Sequence, residues 1–504
     1  MIFNSILTKS FFRQIFRLTL MAAGLAGTVS AQAAESRPNY IVMVTDDQQW
    51  AALSCVQHEL GTAGRYPWFQ TPNLDRIAAE GIRFRNAFVT ESLCSPSRAA
   101  ILTGEYNHLN GVVNNHTFFP MTNVTYSALM RDAGYETAFF GKFHHDKQPG
   151  PRPGFELNYT FIGQGQYFDC PYDINGKMTP TKGWVDDVTT DYVLEFLKHK
   201  HDKPFSIFIG FKTPHEPWQP PKRTQDLYTG DLGRIVPNLT TLPIYRHSKA
   251  DLQHQKWAEA AIREGKPGVK MNLNYFRCIK AMDDDVGRIL ETLDDLNLAT
   301  NTVVLFTTDN GVYLGEHCLH DKRSVYDDSL RVPMLLRYPK LVPAGQVCND
   351  LVLNIDIAPT LLDLAGLSVP AQMQGRSWLP LLTGKPSDWR TNFLAEYFIE
   401  STYPNTPTIV SLCTDTAKLT KYPGHEEWTE LFNLKTDPYE TNNLAKNPEF
   451  APLLDKMNAE FDRQAKAVEY CVPPYADKVV FNPADPEKPE KAKHKALKPG
   501  GETD

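Results

Sequence analysis

The sequence predicts an α/β protein: a large, mostly parallel sheet sandwiched by helices, of the alternating layered kind, followed by a smaller C-terminal α+β domain. Three observations carry this. Short apolar runs rich in β-branched and aromatic residues alternate with amphipathic segments through the first three quarters of the 504 residues. Several of those runs end abruptly in Asp, Asn, Lys or His. Near residue 385 the pattern shifts to shorter β-like runs and one helical stretch, about 450 to 470.

In order, "YIVMVTDD" (40–47) reads as a buried strand running into Asp46 and Asp47. "TPNLDRIAAEG" reads as a helix with Thr71 as cap and Gly81 as stop. "TYSALMRDAGY" is helical, and "ETAFFGKFH" is a strand with a polar end. The amphipathic helix "DVTTDYVLEFLKHK" precedes the strand "FSIFIGFKTPH". The longest helix, "RCIKAMDDDVGRILETLDDL", leads into the strand "NTVVLFTTDNG"; "VPMLLRYP" and the helix "DIAPTLLDLAG" close the series. Ligands of such sheets gather outside the carboxyl ends of the strands. Asp46 and Asp47, Lys142 and His144, His215, and Asp309 and Asn310 are therefore expected at one edge. A boundary at "LLTGKPSDWR" makes residues 35–385 the larger domain and 386–480 the smaller, with 481–504 a flexible tail rich in Pro, Lys and Glu.

Residues 1–34 read as a cleavable secretory signal: a basic start with Lys9, Arg13 and Arg17, the apolar run "LTLMAAGLAGTVS", and small residues in "SAQAA". The apolar run is too short for a membrane span, and no other stretch approaches one. The expected location is periplasmic or secreted. Removing the signal changes 52 Lys and Arg against 59 Asp and Glu to 49 against 59, a net charge of −10. That balance excludes general affinity for nucleic acid or anionic membrane, but not an anionic ligand in a local cationic pocket. The 8 cysteines are widely spaced and form no CxxC pair, unlike a disulfide scaffold or a structural zinc site.

Asp46, Asp47, Asp309 and Asn310 would bring four oxygen side chains to adjacent strand ends. Crowded carboxylates repel unless a cation sits between them, and an all-oxygen set suits Ca²⁺, with Mg²⁺ the lesser fit. Either pair alone reads more readily as turn and cap residues; two pairs, each ending an apolar strand, favour the metal. Cys94 in "LCSPSRAAILTG" suits such a site poorly as a thiolate, and an isolated cysteine is ordinarily a small buried hydrophobe. Yet it heads a Pro-Ser-Arg run at the start of a helix, whose positive end stabilises an anion.

"CSPSRAAILTG" resembles the sulfatase signature C-x-P-S-R-x-x-x-L-T-G at every fixed position. "GKFHH" resembles the G-K-W-H element of the same family, with Phe143 in place of Trp, and "KTPHEPW" its later histidine segment. "TTDNGVYLGEHCLHDKRSVYDDSLRVPMLLRYP" resembles its metal and lysine segment; "QGRSWLPLL" and "ELFNLKTDPYETNNLA" resemble its closing elements. The likeness runs from about Tyr40 to Ala445 and identifies a resemblance to the type I, formylglycine-dependent sulfatases of the alkaline-phosphatase superfamily.

The resemblance implies that a maturation enzyme oxidises Cys94 to formylglycine, which acts as a geminal diol. One hydroxyl attacks the ester sulfur and the alcohol leaves; the other then loses its proton, sulfate is expelled and the aldehyde returns. By the same likeness Asp46, Asp47, Asp309 and Asn310, with residue 94, bind the metal, expected to be Ca²⁺. Arg98 and Lys142 hold the nucleophile and the covalent sulfate, His144 is the base that helps expel it, and His215 and Lys322 act on the ester oxygen. His145, Glu216, His317, His320, Trp184 and Trp218 are further candidates for the pocket. The family's Arg-Tyr-Lys element is altered, with Thr416 and Ala417 before Lys418. The expected activity is hydrolysis of O-sulfate esters on a sulfated carbohydrate. The alternatives are a phosphonate or phosphate ester hydrolase of the same superfamily and an unmodified sulfated-glycan-binding protein.

Overall fold

The computed structural model describes residues 37–384 and 388–474. The expected signal (1–34) and charged tail (481–504) lie outside the described residues.

A 10-stranded sheet forms the centre. In chain order its strands are β1 (Asn39–Thr45), β2 (Ile82–Phe88), β3 (Glu136–Lys142), β4 (Leu157–Phe161), β5 (Tyr172–Ile174), β6 (Lys177–Thr179), β7 (Phe205–Gly210), β8 (Thr302–Thr308), β9 (Met334–Arg337) and β10 (Gln346–Leu353). Their spatial order is β10-β2-β9-β8-β1-β7-β3-β4-β5-β6. The helices that concern the site are α1 (Pro72–Ala79), α2 (Cys94–Thr103), α3 (Tyr126–Asp132), α4 (Val185–Lys198), α5 (Lys249–Arg263), α6 (Leu273–Asp295) and α7 (Ile357–Leu364).

The run β8-β1-β7-β3-β4 is parallel throughout, as the alternation of strands and helices predicts. The sheet as a whole is mixed: β9, the strand of "VPMLLRYP", runs antiparallel to both β8 and β2, and β5 and β6 add an antiparallel hairpin at the edge. A four-residue strand carries no periodicity that reveals its direction. That direction is set by where the long excursion between β8 and β9 returns.

Alternation along β1 shows why the sheet is covered on both sides. Tyr40, Val42 and Val44 join one hydrophobic cluster, with α2, α3 and α7; Ile41 and Met43 join the other, with α1, α4 and α6. Each fully buried aliphatic side chain of this kind contributes roughly 1.5–3 kcal/mol. A second sheet follows: β11 (Asn392–Tyr397), β12 (Ile409–Thr414), β13 (Ala417–Lys421) and β14 (Glu430–Asn433), all antiparallel, with helix α8 (Ala451–Ala467) against it. It shares the first cluster with the large sheet; Phe88 and Phe393, for example, have ring centroids 5.2 Å apart.

One of two local expectations for α1 needs correction. Thr71 precedes α1 but its side chain does not cap it; the Thr71 hydroxyl accepts from Ser54 N at 2.9 Å instead. The free N–H groups of Asn73 and Leu74 donate to Asp283 Oδ1 on α6, at 3.1 and 2.9 Å. A distant carboxylate has replaced the local cap. The helix ends at Ala79 with Glu80 as its cap, just before Gly81 as expected, and close approach adds a reason for glycine there, since a Cβ would lie 2.1 Å from the Leu336 carbonyl oxygen. None of the 8 cysteines is paired.

Candidate active site

The parallel register of β1 and β8 pairs Thr45 with Thr308, so the residues that follow these strands emerge side by side. Asp46 and Asp47 leave β1; Asp309 and Asn310 leave β8, with Asp309 N donating to Thr45 O at 3.1 Å. Asp47 turns in the left-handed region, φ 68°, which Asp tolerates better than most residues. Its carbonyl accepts from the Tyr275 hydroxyl of α6 at 3.1 Å, and its N–H donates to Asp309 Oδ1 at 3.2 Å.

Helix α2 begins at Cys94 itself and ends at Gly104, φ 69°, whose N–H closes the last turn on Ala100 O. Its first turn is anchored from several directions. The Ser95 hydroxyl donates to His144 O at 2.7 Å, Asn354 Nδ2 donates to Ser97 Oγ at 2.9 Å, and Asn107 Nδ2 donates to Pro96 O at 2.7 Å. Arg98, 2% exposed, donates through Nε to Asp309 Oδ2 at 2.9 Å, through Nη1 to Lys142 O at 2.9 Å and through Nη2 to Thr45 O at 3.3 Å. One guanidinium thus ties α2 to the ends of β1, β3 and β8. Glycine makes the room: a Cβ on Gly210 would lie 2.2 Å from Lys142 O and 3.0 Å from Arg98 Nη1.

The charges interlock. Lys142 Nζ contacts Asp46 Oδ2 and Gln164 Oε1, and Lys322 Nζ donates to both Asp47 oxygens at 2.7 Å. The Cys94 thiol donates to Asp46 Oδ1 at 3.4 Å. His215 Nε2 lies 3.8 Å from Asp47 Oδ2, while its Nδ1–H is donated to Glu216 O at 2.6 Å. Tyr167 fixes that histidine by donating from its hydroxyl to His215 O at 2.8 Å. His144 also has left-handed backbone, φ 48°, and its Nδ1 has no partner.

Burial and neighbours separate the protonation states. Burial works against ionisation of Asp46, but Lys142 beside it holds its carboxyl well below the usual range. Burial and the Asp46 carboxylate push Asp309 up to about 7. Burial is opposed at Lys322 by Asp47, which keeps the ammonium charged. Burial lowers His215 to about 4 and, with Lys142, holds His144 well below the normal imidazole value, so both rings are neutral. Burial drives the Cys94 thiol up, and Asp46 and Asp309 add to it. An unmodified Cys94 is therefore a protonated thiol in this setting.

A divalent cation fits the donor set. Ligand atoms of Asp46, Asp47, Cys94 and Asp309 lie within 4.8 Å of one another, and the buried Asn310 Oδ1 has no hydrogen-bond partner. Three carboxylates held together at zero to 7% exposure favour a charge between them.

The predicted residues Asp46, Asp47, Cys94, Arg98, Lys142, His144, His215, Asp309, Asn310 and Lys322 form one hydrogen-bonded and ion-paired assembly, His144 joining it through its carbonyl. A cavity of about 520 Å³ opens from it, lined by Asp47, His215 and Lys322. Of the secondary candidates, Glu216, Trp218 and His320 line that cavity. The other three are packing residues: His145 between Phe119 and Phe143, His317 stacked on Tyr326 at 3.9 Å, and Trp184 on Tyr167 at 6.1 Å. Lys418 is 1% exposed and bonded to Val325 O, Asp327 and Glu440, so it braces the segment after Lys322 and does not line the cavity. Sequence reasoning missed Gln164, Tyr167 and Tyr275. Each reaches the site from another element, and none stands in a pattern that marks it.

Comparison with known proteins agrees with this geometry. Residues 38–367 match the family model described as sulfatase, and residues 315–467 match that of the C-terminal part of N-sulphoglucosamine sulphohydrolase. An N-acetylglucosamine-6-O-sulfatase of Bacteroides thetaiotaomicron is 31% identical over 92% of this chain and 93% of its own length. The N-acetylglucosamine-6-sulfatase of Homo sapiens is 30% identical over 88% of this chain and 87% of its own. A solved protein structure in complex with its substrate D-glucosamine-2-N,6-O-disulfate superposes with a TM-score of 0.75 at 30% identity, covering 86% of this chain and 98% of that one. With a family model spanning most of the described chain and relatives matched nearly end to end, the protein belongs to the sulfatase family of the alkaline-phosphatase superfamily and is a sulfuric ester hydrolase.

Proposed function

We propose that the protein is an exported, periplasmic or secreted, sulfatase that hydrolyses an O-sulfate ester on a sulfated carbohydrate, with the 6-O-sulfate of a glucosamine unit as the first candidate given the relatives' names. The observation that carries the site assignment is the position of Cys94: buried at the start of α2, hydrogen-bonded to Asp46, with Arg98, Lys142 and Lys322 around it. A protonated thiol there is neither a nucleophile nor a ligand for a hard cation. Conversion of residue 94 to formylglycine by a maturation enzyme supplies oxygen in its place.

Asp46, Asp47, Asp309 and Asn310 would hold Ca²⁺, which supplies Lewis-acid polarisation of the sulfate group. The chain's own residues do the rest. Arg98 fixes the start of α2 against the strand ends, and Lys142 places a positive charge beside residue 94. Lys322, kept cationic by Asp47, stabilises charge on the departing sugar oxygen. His215 is held with Nδ1–H toward Glu216 O, so neutral Nε2 is an acceptor with no proton to give, and the proton for that oxygen comes from the Lys322 ammonium. Neutral His144, with Nδ1 unpartnered, accepts the proton whose loss releases sulfate.

The test is sulfate release from aryl sulfates and a panel of sulfated sugars by protein coexpressed with a formylglycine-generating enzyme, beside matched phosphate esters. Faster turnover of the phosphate esters would replace this reading with the phosphohydrolase one. Peptide mass spectrometry over residues 92–104 that finds only cysteine in active material would overturn the nucleophile, and the same result in inactive material would favour a glycan-binding role.

A further inference from the structure

The cavity over His215 and Lys322 does not end at the scissile group. Beside the N-terminal half of α5 lies a second cavity of about 310 Å³, lined by Arg246, His254, Asn405 and Thr406 among others. His320, Asp321, Arg323 and Tyr403 line both, so the two form one cleft with Arg323 and Tyr403 at the junction, guanidinium over ring at 3.4 Å. Each volume falls in the range of about 300–1,000 Å³ usual for small-ligand sites.

Three features define what the second cavity takes. Its charges are already paired: Arg246 with Asp251 at 2.7 Å, and Arg323 with Asp321 at 3.0 Å and with Glu400. An acidic group gains little there over water. Asn405, which lines it, has a buried Oδ1 with no hydrogen-bond partner, an acceptor suited to a hydroxyl donor. Trp257 of α5 is 61% exposed, its ring 5.5 Å from that of the lining residue His254, which in turn meets His320 edge-on at 5.3 Å. An exposed indole offers an apolar face of the kind that covers a sugar ring.

We infer that this second cavity is a subsite for the neutral sugar next to the sulfated one, so that the enzyme recognises a glycan chain and not a lone sulfated monosaccharide. The inference rests on the sulfated-carbohydrate reading above and adds to it the residues of α5 and of the segment 403–406.

Kinetics on matched pairs test it: sulfated monosaccharides, and disaccharides in which the same sulfated unit carries a neutral sugar. The disaccharide of the accepted sugar should have the higher kcat/KM by about tenfold. Trp257→Ala and, separately, His254→Ala should each erase at least about threefold of that advantage while leaving monosaccharide kcat/KM unchanged. Trp257 is exposed, so its loss spares the fold. Equal kcat/KM for both members of the pair would overturn the subsite while leaving the sulfatase reading intact, as would variants that slow both substrates equally. No turnover of any sulfated sugar, with aryl sulfate still hydrolysed, would overturn the carbohydrate reading and the subsite with it.

Discussion

Lys322 Nζ sits 2.7 Å from each carboxylate oxygen of Asp47, a symmetric grip in which both groups are nearly buried. The pair joins a predicted metal ligand just after β1 to a predicted leaving-group residue 275 positions away. If Lys322 stabilises the departing oxygen, Lys322→Ala should lower kcat by about 10²–10³ on a sugar sulfate, whose alkoxide leaves poorly. The loss should be much smaller on nitrophenyl sulfate, where the leaving group needs little help. Equal losses on both would show that Lys322 serves only to hold Asp47.

Arg98 should matter to folding as much as to chemistry. Arg98→Ala strands the buried Asp309 carboxylate and two buried strand-end carbonyls without their partner, at a cost of about 3–5 kcal/mol. Urea unfolding should show that loss. Arg98→Lys, which cannot reproduce the fork, should recover only a part of it.

Removal of divalent ions should weaken the protein as well as silence it. Asp46, Asp47 and Asp309 are crowded, and Asp309 is pushed up to about 7 by burial and by Asp46. EGTA should therefore lower the Tm, and adding Ca²⁺ should restore Tm and sulfate release together, more effectively than equal Mg²⁺. A Tm insensitive to chelator and to both ions would remove the metal assignment.

Cys94→Ala should abolish turnover while leaving the Tm within a few degrees. The lost side chain is small, and its one polar contact is a weak thiol hydrogen bond to Asp46. Retained activity in this variant would sink the mechanism.

A further pH dependence is built in at a pair outside the candidate catalytic set. His108 is buried against Glu396, Nδ1 to Oε2 at 2.6 Å; burial opposes its protonation, but the Glu396 carboxylate wins and raises its pKa above 6.5. A group whose folded pKa is raised adds stability that is fully present below its unfolded pKa and is lost as pH rises through the folded value. The stability gap between the wild type and His108→Asn in urea should thus be wider near about pH 5.5 than near about pH 8.5. A gap independent of pH would show that folding leaves the His108 pKa unshifted, and a gap narrower at the lower pH would show that the ring is kept neutral in the fold.

Much of the site was legible because its chemistry is local in sequence. Asp46 and Asp47, Asp309 and Asn310, Lys142 and His144 each end an apolar run, and a parallel sheet must bring such ends to one edge. The helix cap at Thr71 failed for the opposite reason. The local signal was right for a helix start, but Asp283, more than two hundred residues away, supplied a better acceptor. His317 and Trp184 were plausible pocket residues by type alone; only their rings' packing on Tyr326 and Tyr167 showed otherwise.

By itself, the sequence determined the residue types, their strand-end positions and the motif around Cys94, and with these the reaction class. Hydrophobic period and short-range spacing encode such features directly. The tertiary structure alone decided the antiparallel course of β9, the shared core of the two sheets and the shape of the cleft. These depend on pairings such as Arg323 with Glu400 and Tyr403, or His254 with His320, between segments whose own periodicity says nothing of one another. The candidate site is written in short stretches; the cleft beside it is shaped where distant stretches meet.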